Sequence, residues 1–121
     1  MRALVVDDSA AMRGVLRMVL KQCGCEVAGE AKHGKDGMAM LSRIGPVDVA
    51  LVDWNMPEMS GLEMLHAVRA NRAFDSMKIM MVTTETDLEQ VEKALQCGAD
   101  EYVMKPFDSE IIADKLHILG F

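Results

Sequence analysis

Acidic and basic side chains stand at positions along this chain where a fold could gather them into one site. Asp7 and Asp8 follow one short apolar run, and Asp53 follows another. Carboxylates brought close together repel one another and resist ionising together. A hard divalent cation relieves that repulsion, and oxygen ligands with retained water are typical of Mg²⁺. Lys105 follows a third apolar run and would add a compact positive charge, so the residue types predict a magnesium site beside a lysine.

The segments between these residues alternate five times between strand and helix patterns. Short unbroken apolar runs are typical of strands covered on both faces, and apolar residues three or four apart are typical of amphipathic helices. These patterns predict strands at 3–6, 27–31, 47–52, 79–82 and 102–104. Helices are predicted between a Ser9 cap and Gly24, at about 38–44, at 61–71, at 87–97, and from an Asp108 cap through 119. The second strand is the most polar and is expected near a sheet edge.

Alternating strands and helices imply a parallel sheet with right-handed crossovers and helices on both faces. Ligands of such sheets bind outside the carboxyl ends of the strands. Asp7, Asp53, Thr83 and Lys105 each stand at such an end and should meet there. One aspartate after a strand is more often turn chemistry than catalysis, but four coordinated positions favour a functional site.

The chain resembles the receiver domains of response regulators, in particular the single-domain chemotaxis type (CheY-like). The resemblance implies an α/β, flavodoxin-like receiver fold with a five-stranded parallel sheet in the order 2-1-3-4-5 and five helices on both faces. It also implies one receiver domain over 1–121 without an output domain. The motifs that carry the resemblance are Val5-Val6-Asp7-Asp8-Ser9, Asp53-Trp54-Asn55-Met56-Pro57 with Gly61, Val82-Thr83, and Tyr102-Val103-Met104-Lys105-Pro106-Phe107.

A phosphorylation site follows from this resemblance. Asp53 would accept a phosphoryl group from a phosphohistidine on a sensor histidine kinase or a phosphotransfer protein. Thr83 would hydrogen-bond that group and Lys105 would pair with it, so that these two side chains act with Asp53 in catalysis. The protein would then be a phosphoprotein of a two-component phosphorelay that carries an aspartyl phosphate. It would have intrinsic autophosphatase activity but would not otherwise be an enzyme.

A metal site also follows from the resemblance. Asp8, Asp53 and the backbone carbonyl of Asn55 would hold Mg²⁺ directly, and Asp7 would act mainly through a bound water. Asn55 and Glu85 would tune the access of water and so the rate of dephosphorylation.

The resemblance implies a route for the signal as well. Thr83 and Tyr102 would form the switch that carries the signal to a downstream protein. That target would bind the face formed by the fourth helix, the fifth strand and the fifth helix.

Two other functions remain open. Phosphatases of the haloacid dehalogenase type use a similar set of residues, but they need a second aspartate two residues after the nucleophile, where this chain has Asn55. A phosphorylation-independent receiver-like scaffold would usually have lost the acceptor, the lysine or one of the acidic pair, and this chain retains every one.

The chain is acidic overall, with 19 acidic and 13 basic residues and a net charge of −6. A nucleic-acid partner requires a clustered basic surface and is therefore not expected. No apolar run approaches the length of a membrane span, and the amino terminus does not read as a signal peptide. We therefore expect a cytoplasmic protein without a membrane partner. Its three histidines are expected to lie away from the strand ends: His33, His66 and His117.

Overall fold

The computed structural model of the chain describes residues 1–84 and 88–121. Strands and helices alternate along the described residues. The strands are β1 (Arg2–Val6), β2 (Glu26–Ala31), β3 (Val49–Asp53), β4 (Lys78–Thr83) and β5 (Glu101–Met104). The α-helices are α1 (Ala10–Gln22), α2 (Gly34–Ile44), α3 (Gly61–Arg69), α4 (Leu88–Gln96) and α5 (Ser109–Ile118). A short 3₁₀ helix that the sequence patterns did not predict spans Arg72–Phe74.

The five strands form one parallel sheet in the order β2-β1-β3-β4-β5. This order confirms the predicted fold class, and β2 lies at an edge as expected. In the register, Asp53 pairs with Val82 of β4, and Thr83 pairs with Met104 of β5. The carboxyl ends of β3, β4 and β5 are therefore level with one another, which places the residues that end them side by side.

The core lies on both faces of the sheet, because successive strand residues point to opposite sides. One cluster contains Leu4, Val52 and Met81 with residues of α2, α3 and α4. The other contains Val5, Leu51 and Met80 with residues of α1 and α5. Aromatic residues are few, and thioethers fill much of this space. Four methionines expose 1% or less of their surface: Met64, Met77, Met80 and Met81.

The helix starts are set by side-chain caps, and one of them corrects a prediction. Ser9 and Asp108 cap α1 and α5 as expected. By contrast, α2 begins at Gly34 rather than near residue 38, because Nδ1 of His33 accepts a hydrogen bond from the Asp36 backbone N–H at 3.1 Å. His33 therefore lies two residues beyond the end of β2 and not away from the strand ends.

Two apolar side chains of the helices are exposed rather than buried: Val15 of α1 and Leu95 of α4. Among the α4 side chains that the structure describes, Val91 and Ala94 are buried. No helix within the described residues is both long enough and apolar enough to cross a membrane.

Candidate functional site

The carboxyl ends of four strands bring polar side chains together at one end of the sheet. Asp7 and Asp8 follow β1, Asp53 is the last residue of β3, Thr83 is the last residue of β4, and Lys105 follows β5. Three of these residues are buried even though they are polar: Asp7, Asp53 and Thr83. Polar side chains are rarely buried without partners. The burial of these three residues together therefore indicates a functional site at the carboxyl ends of the strands.

The three aspartates form a compact acidic cluster. Carboxylate oxygens from Asp7, Asp8 and Asp53 all lie within 4.8 Å of one another. Asp7 is fully buried and Asp8 is exposed, so the cluster opens to solvent on one side. The Ser9 backbone N–H donates to Oδ1 of Asp7 at 2.9 Å, which fixes the orientation of the innermost carboxylate.

Lys105 joins the two buried carboxylates. Its Nζ donates to Oδ2 of Asp7 at 3.1 Å and to Oδ1 of Asp53 at 3.3 Å. The Lys105 backbone N–H donates to the Thr83 carbonyl at 2.8 Å, which ties the start of this loop to β4. The Lys105–Pro106 peptide bond is cis.

Burial and charge set the protonation of this group of residues. Burial, followed by the charge of Asp7, raises the pKa of Asp53, and the nearby Lys105 ammonium lowers it without cancelling the rise. For Lys105, burial alone would lower the pKa, but the hydrogen bond to Asp7 and the charge of Asp53 raise it overall. The site therefore carries more negative charge than one lysine neutralises, which favours a bound cation.

The donor set fits a hard divalent cation. Three carboxylates that converge within a few ångströms and open to solvent on one side can supply some oxygen ligands and leave room for water, as Mg²⁺ requires. Asn55 is exposed and follows Asp53 by two residues in the sequence. The lysine contacts the two buried carboxylates and can pair with an anion held at Asp53.

One residue of the site was missed by sequence reasoning. Arg13 of α1 donates from its guanidinium to the Asp7 backbone carbonyl at 2.8 Å. Glu30 of β2 lies 3.7 Å from the same guanidinium and also binds Arg17 at 2.6 Å. No sequence pattern predicts that an arginine side chain on a helix will donate to a backbone carbonyl in the turn that precedes that helix.

The remaining predicted residues are placed as follows. Tyr102 lies half-buried in β5, opposite Met81 of β4, and packs against the cluster that contains Met81. Trp54 follows Asp53 directly and packs against the same cluster. Glu85, predicted to tune dephosphorylation, lies outside the described residues.

Comparisons with known proteins show which family this chain is similar to. Residues 3–117 match the family model of the response regulator receiver domain. The chain is 41% identical to a chemotaxis protein CheY homolog of Campylobacter jejuni over 121 residues, which is 99% of this chain and 93% of that protein.

Solved structures agree with these matches. Chemotaxis protein CheY4 of Vibrio cholerae is 33% identical, with a TM-score of 0.88 over 97% of this chain and 96% of that one. A CheX-CheY-BeF3-Mg²⁺ complex from Borrelia burgdorferi contains a chain of the same fold, with a TM-score of 0.93 over 100% of this chain and 90% of that chain, at 20% identity.

Proposed function

The chain belongs to the response regulator receiver domain family, as a CheY-like receiver of two-component signalling, and we propose that Asp53 is its phosphoryl acceptor in a Mg²⁺-dependent reaction. The observation that carries this proposal is the contact of Asp53 with the other acidic residues on one side and with Lys105 on the other. Residues 1–121 would together form one receiver domain.

The proposed transfer uses the Asp53 carboxylate as the nucleophile. A carboxylate oxygen forms a bond to phosphorus as the bond from phosphorus to the phosphohistidine nitrogen breaks, and the imidazole leaves with the electron pair. Such transfers depend on in-line positioning and on neutralising the charge of the moving group. Lys105 supplies one positive charge, and Thr83, at the end of the adjacent strand β4, would donate a hydrogen bond from its hydroxyl to a phosphoryl oxygen.

Magnesium would neutralise a second part of that charge when bound. Asp7, Asp8 and Asp53 would hold it, together with the backbone carbonyl of Asn55. The three carboxylates support this assignment because their oxygens already converge, and the Borrelia complex of the same fold contains Mg²⁺. In this assignment Asp7 also retains its contact with Lys105, so it orients the lysine as well as the metal.

Partners are proposed from the family and from the exposed surface. The phosphoryl donor would be a sensor histidine kinase or a phosphotransfer protein. The downstream target would bind the face formed by α4, β5 and α5. Each of the three elements carries exposed apolar surface: Leu95 of α4 (40% exposed), Met104 of β5 (44%), and Ile111 and Ile118 of α5 (40% and 67%).

Phosphorylation by a small donor tests the proposal. After incubation with Mg²⁺ and acetyl phosphate, the intact mass is expected to rise by one phosphoryl group. The gain should disappear in Asp53→Asn and after chelation. Asp48→Asn serves as the matched control, because the Asp48 carboxylate accepts a hydrogen bond from the Arg2 backbone N–H at the amino-terminal ends of the strands, away from the site. No gain in the parent protein would favour the phosphorylation-independent scaffold.

A further expectation concerns the lifetime of the phosphoryl group. Water attacks phosphorus and breaks the bond to Asp53, so any side chain that shields this position slows the loss. Asn55 is small and exposed beside the acceptor, and Asn55→Arg is therefore expected to lengthen the lifetime several-fold in a mass time course. Gln96→Arg, at an exposed position of α4, is the control. A parent phosphoprotein that persists for hours at neutral pH would contradict intrinsic autophosphatase activity.

A further inference from the structure

Three residues contact one another where β5 forms the outer edge of the sheet. Lys115 of α5 donates from Nζ to Oε1 of Glu101 at 3.1 Å. The same oxygen accepts the Tyr102 backbone N–H at 3.0 Å. The Lys115 ammonium also lies 5.1 Å from the centroid of the Tyr102 ring. Glu101 therefore holds the ammonium at the position from which it contacts the aromatic face.

Partial burial strengthens this arrangement. The side chains of Lys115 and Glu101 expose 27% and 15% of their surface, so water screens their ion pair less than it screens a pair on an open surface. A cation is attracted to the negative face of an aromatic ring within about 6 Å, more strongly as water is excluded. The contact between Lys115 and Tyr102 thus favours one orientation of the ring.

We propose that Lys115, oriented by Glu101, is a positioning residue that holds Tyr102 in the half-buried orientation seen here. A rotation of the ring away from α5 breaks its contact with the ammonium, so Lys115 opposes any such rotation. The inference deepens the proposed function, since it assigns regulation to the Tyr102 switch. The contact itself exists without phosphorylation and can be tested without it.

The single tyrosine of the chain gives a direct test. Protein made with 3-fluorotyrosine should show one fluorine resonance in NMR, which reports the surroundings of Tyr102 alone. In the unphosphorylated protein, Lys115→Met is expected to move and narrow this resonance, because the charge is lost and the ring rotates more freely. Lys115→Arg should largely restore the parent signal, and Lys35→Met, at an exposed position of α2, should leave it unchanged. An unchanged resonance in Lys115→Met would overturn the proposal.

A second measurement separates this inference from the proposed function. With Mg²⁺ and limiting acetyl phosphate, the resonance should divide between two orientations of the ring. At equal phosphoryl content, Lys115→Met is expected to shift the ratio of the two orientations by about two- to fivefold, toward the ring orientation that phosphorylation favours. An equal ratio in Lys115→Met and the parent would overturn the positioning role. If the parent gains no phosphoryl group, the proposed function fails, while the comparison without donor still decides whether Lys115 holds the ring.

Discussion

Replacement of Asp53 by asparagine is expected to raise the thermal unfolding midpoint of the metal-free protein, although it removes the proposed phosphoryl acceptor. Burial and the charge of Asp7 raise the pKa of Asp53 in spite of the opposing charge of Lys105. A folded-state pKa above the unfolded-state value means that the ionised carboxylate lowers the stability of the fold. Asparagine preserves the shape and removes the charge, and Lys105 keeps its 3.1 Å contact with Asp7.

The effect should depend on pH in a defined direction. The destabilising contribution of Asp53 is fully present above its raised folded-state pKa, declines as the pH falls from that pKa toward the unfolded-state pKa, and is absent below both, where the carboxyl is protonated in either state. The midpoint difference between Asp53→Asn and the parent is therefore expected to be largest at neutral pH and to shrink in acid.

Thermal melts followed by circular dichroism in the presence of a chelator provide the measurement. Asp114→Asn, at an exposed position of α5, controls for the simple loss of a negative charge. Mg²⁺ should stabilise the parent by about 2.7 kcal/mol at one hundred times its dissociation constant, and should stabilise Asp53→Asn much less. A lower midpoint for Asp53→Asn than for the parent, in chelator at neutral pH, would show that Lys105 outweighs burial and the charge of Asp7.

Replacement of Gly61 by alanine is expected to lower the free energy of unfolding by about 3 kcal/mol, near the upper end of what overpacking costs. An added Cβ at Gly61 would overlap the Asp53 carbonyl oxygen, and it would lie 2.8 Å from Cε of Met81 and 3.0 Å from Cα of Trp54. The methionine can move, but the backbone of β3 cannot. The first turn of α3 would have to leave the end of the strand, and the Gly61 N–H would lose its 3.0 Å hydrogen bond to the Trp54 carbonyl.

A second glycine provides the matched control for this substitution. Gly14 lies within α1, and the nearest atom to an added Cβ is the Arg17 guanidinium at 3.7 Å, an ordinary contact. Gly14→Ala is expected to stabilise the protein by about 0.5–1 kcal/mol, because alanine restricts the unfolded chain and favours the helix. Urea unfolding would give both values. Equal stability of Gly61→Ala and the parent would show that α3 can move without cost.

The strands and the residues at their carboxyl ends could be predicted because their signals are local, whereas the strand order followed from the resemblance to receiver domains. Each buried strand is a short apolar run, and the residues at the strand ends follow directly from its position. The parallel order then places Asp7, Asp53 and Lys105 together, as the 3.1 and 3.3 Å contacts of the lysine show. Burial of these groups and their resulting pKa shifts could not be predicted, because they depend on atoms from several distant segments.

Other features lacked a local signal. The first turn of α2 contains Gly34 and Gly37, which are poor helix formers, so the start of the helix was placed too late. The Arg69 guanidinium donates to the carbonyls of Gly98, Phe74 and Met77 and to the Asp100 carboxylate. These partners lie up to 31 residues away, and no spacing in the sequence connects them.

The methionine-rich core has a consequence for how oxidants damage this protein. Peroxide in solution can reach Met18 and Met104, which expose 62% and 44% of their surface. It can reach Met80 and Met81 only when helices separate from the sheet. A sulfoxide formed there would place a polar oxygen in an apolar layer and hinder closure of the core. Resistance to irreversible oxidative inactivation should therefore depend on how often the core opens rather than on how many methionines the chain contains.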